Sequence, residues 1–134
     1  MLMADLVLEG SFGLFGTYRI FQKITLNTGI FPPGWEGVGM VAGHMADSVI
    51  LSLIFVWPDI YSKIPGKGAV KGLLFGLVWN FLVLIVAWIF AKAGSEFMKA
   101  YISLGSGHQL SLLFLHLIWG ATLGILYNPP KDAQ

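Results

Sequence analysis

The sequence predicts an all-α protein, an integral membrane helical bundle, and three observations carry that reading. Of its 134 residues, 56% are hydrophobic and only 11% are charged, against about 45–50% and about 25% in ordinary soluble domains. Three stretches, 38–57, 70–90 and 110–127, each approach the roughly 20 apolar residues that a helix needs to cross about 30 Å of hydrocarbon. Small residues also recur at every fourth position along each stretch, giving each helix one smooth face on which a neighbour can pack closely.

Each span has its own marks. The stretch 38–57 carries a single formal charge, Asp47, while 73–90 and 110–127 carry none with His116 neutral. Trp35, Trp57, Tyr61 and Tyr127 stand at span edges, where amphipathic rings anchor in the interface. Pro58, Pro65 and the pair Pro129-Pro130 mark helix ends. The whole chain, 1–134, reads as one transmembrane domain with no room for a separate soluble one.

A fourth stretch, 8–30, is long enough to cross but contains Arg19, Gln22 and Lys23. It either lies in the interface as an amphipathic helix or crosses with its polar face inside the bundle. Asp47 decides between them. It falls near the midplane of its span, where an aspartate costs about 2.5–3.5 kcal/mol to insert. Arg19, midway along a crossing first helix, would lie at the same depth and pair with it. The expected architecture therefore has four transmembrane helices.

The connections are read as loops around 58–68 and 91–107. Lys63, Lys67 and Lys71 cluster near the first, so the positive-inside bias places that loop and the C-terminus in the cytoplasm. His44, Ser48, Ser52 and Phe55 recur as His116, Gly120, Gly124 and Tyr127, and Gly16 and Phe21 match Gly76 and Phe81. That pattern suggests two helix pairs related by an axis along the membrane normal.

Composition also excludes functions. A net charge of +1 without a basic cluster argues against nucleic acid. The absence of cysteine excludes disulfides, iron–sulfur clusters and thiolate metal sites. Met1-Leu2-Met3-Ala4-Asp5 has no cationic lead-in, so no signal peptide is expected. No phosphate loop, paired-histidine zinc motif or nucleophile elbow occurs, and Ser48 and Ser52 read as serines bonded back to their own helix. Catalysis by this chain is not expected.

The candidate functional residues are of two kinds. Gly39, Gly43, Gly68, Gly72, Gly76, Gly120 and Gly124 form the smooth packing strips. Arg19, Asp47 and Asn80, with His44 and His116, are the polar groups at membrane depth. The two histidines enter their helices at similar depth and are the candidate axial ligands should a haem b be bound; otherwise no cofactor and no metal is expected. His108, in Gly105-Ser106-Gly107-His108, reads as a loop or helix-start residue.

Three segments carry a resemblance: the Gly43-His44 helix start, Gly72-Leu-Leu-Phe-Gly-Leu-Val-Trp-Asn, and Leu115-His-Leu-Ile-Trp-Gly-Ala-Thr-Leu-Gly-Ile-Leu-Tyr. With these the chain resembles a group of small bacterial and archaeal four-helix membrane proteins of unknown function. It departs from them at Arg19 and Lys23, where their first helices are more apolar. The resemblance implies four spans in a prokaryotic cytoplasmic membrane and brings no activity with it. The expected function is a non-catalytic accessory subunit of a larger membrane complex, such as a respiratory or other electron-transfer assembly. Its partners are then lipids and other integral-membrane subunits, or further copies of itself. A homo-oligomeric channel or transporter with a polar path through Asp47, Asn80 and His116 is the alternative, and a small haem b protein the third.

Overall fold

The computed structural model describes residues 4, 5, 7, 16–29 and 31–127. Six helices of more than a few residues run through them in order: α1 (Thr17–Thr28), α2 (Glu36–Val56), α3 (Pro58–Lys63), α4 (Ala69–Lys92), α5 (Glu96–Ile102) and α6 (Ser106–Leu126). No strand occurs among the described residues. The helices α2, α4 and α6 are long and apolar enough to cross a membrane.

The tightest packing is between α4 and α6, and glycine makes it possible. A Cβ at Gly72 would strike the carbonyl oxygen of Gly120, one at Gly76 that of His116, and one at Gly124 that of Gly68. The two backbones touch directly along about three turns. In lipid, where burial against another helix gains little over burial in acyl chains, this close approach is what holds helices together. The other strip behaves differently. Gly39 lies under the Phe31 ring, and nothing comes within 4 Å of a Cβ built at Gly43. That face of α2 therefore makes no helix–helix seam among the described residues.

Helix α2 meets the α4–α6 pair through large side chains near its C-terminal end. Phe55, fully buried at 0% exposure, packs on Phe75, Tyr61 and Tyr127. At the opposite end Ala87, Leu112 and Tyr101 form a second cluster, joined by Phe21, Val83 and Met98. Carbonyls at helix ends also accept from side chains elsewhere in the bundle. Lys71 Nζ donates to Tyr61 O at 2.6 Å, Gln109 Nε2 to Tyr101 O at 3.2 Å, and Tyr127 Oη to Val56 O at 3.4 Å.

Several expectations change. Both presumed loops contain helices. In α3, Pro58 takes the first turn, where its missing N–H is harmless. Helix α5 starts at Ser95, whose Oγ accepts from Met98 N at 3.3 Å. The stretch expected to cross at 8–30 shows one described helix, α1, of 12 residues, about 18 Å long and short of a bilayer core. Gly16 and Gly29 bound it in the left-handed conformation, at φ 57° and 63°, and this halts the helix on both sides. Residues 8–15 and Ile30 lie outside the described residues. The internal repeat is not carried by the fold either. Gly16 is a left-handed break, whereas Gly76 sits mid-helix in the seam. Because α1 packs on α5, Arg19 and Lys23 join the Lys92 and Lys99 end, opposite Lys63, Lys67 and Lys71. Among the described residues four cations then lie at one end and three at the other, so the bias that pointed the C-terminus to the cytoplasm is lost.

The seam yields a contrast. Gly72→Ala and Gly120→Ala each force backbone apart and should lower stability by about 1–3 kcal/mol. Gly43→Ala should be neutral or stabilising by up to about 1 kcal/mol, since only helix propensity changes. Thermal unfolding in mild detergent, compared across the three variants, checks this; equal shifts would contradict the seam.

Candidate functional site

The polar residues of the three spans gather on one side of the α4–α6 pair. Asn80 and His116 lie near the middle of α4 and α6 and are buried, with 4% and 7% of their surface exposed. His116 Nδ1–H donates to Asn80 Oδ1 at 2.9 Å. The seam dictates this bond. The backbone of Gly76 lies against that of His116, and Asn80, one turn further along α4, then falls beside the imidazole. The bond fixes the tautomer, so Nε2 is left as a lone-pair acceptor. The ring also interacts with the backbone of Leu112, one turn back on α6.

His116 also lines a cavity of about 180 Å³. His44, Asp47 and Ser48 of α2 form part of its wall, with Trp79 and Val83 of α4 and Trp119 of α6. Helices α1 and α5 close its far end with Phe21, Phe97, Met98 and Tyr101. Phe21 stacks on Tyr101 and Phe97, at centroid distances of 5.5 and 6.3 Å. Burial pushes the Tyr101 phenol above its ordinary range, so it stays neutral at physiological pH. On the α2 side the wall is open, with Asp47 exposed at the rim and His44 and Ser48 half-buried.

The remaining sequence candidates are placed as follows. Arg19 and Lys23 are exposed on α1. The expected Arg19–Asp47 salt bridge is not formed; the close ion pair among the described residues is Glu96–Lys99 on α5. Helix α1 does touch α2, through Thr25 against Met40 and Tyr18 against Gly37, but these contacts lie near the start of α2 and not at Asp47, while its aromatic face packs on α5. Ser52 Oγ donates back to Ser48 O at 2.7 Å, the helix-internal bond expected of it. His108 falls in the first turn of α6. His44 and His116 share the cavity, but its volume suits one ring. A cavity of about 150 Å³ takes benzene, and a porphyrin is several times larger.

Two contributions escape the sequence reading. Asp5 is buried, and its carboxylate accepts from Thr17 N at 3.2 Å and Tyr18 N at 2.7 Å, capping α1 from a distance. The aromatic end of the cavity comes from α1 and α5, and α5 had passed for loop. Its signal was present in Gly94-Ser95-Glu96, a glycine stop followed by a cap residue and an acidic first turn.

Among the described residues no group of three or more His, Asp or Glu side chains is placed to hold a metal ion. No protein-family model, curated protein or solved structure matches the chain.

The Asn80–His116 bond is open to a double-mutant cycle. Asn80→Leu and His116→Leu should each destabilise, and the double variant should recover about 1 kcal/mol of their sum, within the range for interhelical bonds in membranes. Strict additivity in detergent unfolding would show that the pair is uncoupled.

Proposed function

We propose that the chain is a non-catalytic integral-membrane subunit of a larger assembly in a prokaryotic cytoplasmic membrane, an electron-transfer complex being the first to examine. The observation that supports this is the exposure of its spans. In the most apolar 18 residues of α2, α4 and α6, only 17%, 17% and 28% are buried within the chain. Lipid covers such surface, and so does another helix. On α2 the bare strip at Gly43, continued along the same face by the exposed Ala46 and Ile50, has the smoothness that helix docking in lipid uses.

Native gel separation of gently solubilised membranes, with mass spectrometry locating this chain, tests the reading. The chain should migrate with other membrane subunits well above its own mass of 14.6 kDa. Migration alone, as one or a few copies, overturns the assembly.

A second reading draws on the clustering of His44, Asp47 and His116 around one cavity. Titratable groups gathered inside a membrane are the ordinary makings of a proton path. On that reading, reconstituted vesicles conduct protons and Asp47→Asn abolishes the flux while the fold persists. Wild-type vesicles that hold a pH gradient as well as empty ones dispose of it.

A further inference from the structure

We propose that the cavity between α2 and the α4–α6 pair binds the headgroup of a membrane-soluble benzoquinone or its quinol, with the hydrocarbon tail leaving past α2 into lipid. This stands apart from the question of assembly, because it needs only the single chain in a bilayer.

Size comes first. A cavity of about 180 Å³ exceeds the roughly 150 Å³ that takes benzene by about the room that ring substituents need. Shape and surface come next. The walls present flat π-faces from Trp79, Trp119, Phe21, Phe97 and Tyr101, which favour stacking against a planar ring. Polar groups then set the orientation, as a few well-placed ones do in an otherwise apolar site. His116, more than nine-tenths buried, keeps Nε2 as an acceptor because Nδ1 is committed to Asn80. A quinol hydroxyl satisfies it. Across the cavity the α2 wall offers Ser48 and His44, which donate to an oxygen on the other side of the ring.

Other occupants fit less well. A plain hydrocarbon forgoes the hydrogen bonds that His44, Ser48 and His116 on the wall can supply. A hydrophilic solute reaches the middle of a span only by crossing lipid. Access for a tailed ring is lateral. The α2 side carries the exposed rim at Asp47, between the two places where α2 is fastened, Met40 against α1 and Phe55 among the aromatic rings.

The test uses the purified full chain in lipid nanodiscs, with decyl-substituted benzoquinone as the probe and decylbenzene as its oxygen-free match. Tryptophan fluorescence reports occupancy, since Trp79 and Trp119 line the site. The quinone should quench saturably and bind at least about tenfold more tightly than decylbenzene displaces it, one hydrogen bond's worth or more. Val83→Trp fills the cavity and should remove saturable quenching. His44→Ala leaves the α4–α6 seam untouched and should weaken binding about tenfold; it decides the matter should the filled variant fail to fold. Quenching that rises linearly without saturation overturns the proposal. Equal affinity for the two probes does so too, as does undiminished binding in folded Val83→Trp or in His44→Ala.

Discussion

The backbone contact between α4 and α6 governs the rest of this structure. Glycines at 68, 72 and 76 face glycines at 120 and 124 so closely that carbonyl oxygens occupy the places where Cβ atoms would otherwise be. Such contact fixes the relative rotation and translation of two helices, because ridges without side chains lock only in one register. Everything polar at mid-membrane inherits that register. With Gly76 against His116, Asn80 falls beside the imidazole one turn on, and two residues that are costly singly become a satisfied pair. The site is thus a consequence of the seam.

The third long helix is held by different means. Helix α2 has no glycine contact with the pair and relies on Phe55, set among Phe75, Tyr61 and Tyr127. Large rings keep backbones apart, and between the separated helices lies the cavity. The short helices α1 and α5 close its far end, and side chains of the long helices tie the short ones down. Lys71 Nζ donates to Tyr61 O and, 4.2 Å above that ring's centroid, ties α3 to the start of α4. Gln109 does the same for Tyr101, seating α5 against α6. The aromatic floor of the cavity thus rests on a hydrogen bond to a helix end.

Sequence patterns made the three spans legible because hydropathy over about 20 residues is a direct statement of solvent preference. The four-residue glycine spacing on α4 and α6 was legible too, although the same spacing at Gly39 and Gly43 marks a face with no helix on it. Spacing says that a face is smooth, and only the fold says what meets it. The failure of the Arg19–Asp47 pairing has the same root. Depth was read from residue counts, but α1, bounded by left-handed glycines at 16 and 29, meets α2 only near Gly37 and Met40 and turns its aromatic face to α5. Helices of six or seven residues, α3 and α5, fall below any hydropathy window. Asp5 caps a helix that begins 12 residues later, and no local pattern contains that relation.

The two packing modes also divide the molecule mechanically. Contacts of backbone against backbone leave no soft side chains to rearrange, so the α4–α6 pair is the stiff element. The α2 wall, held by aromatic rings near Phe55 and by α1 near Met40, makes fewer buried contacts with the pair between those points. His44, Asp47 and Ser48 sit on this looser wall, while Trp79, His116 and Trp119 sit on the stiff one. Any body that leans on the outer face of α2 therefore changes the width of the cavity without disturbing the Asn80–His116 bond. If a partner helix docks on α2 and a ring occupies the cavity, the two events meet at the same wall and are thermodynamically linked, each shifting the other by the same factor.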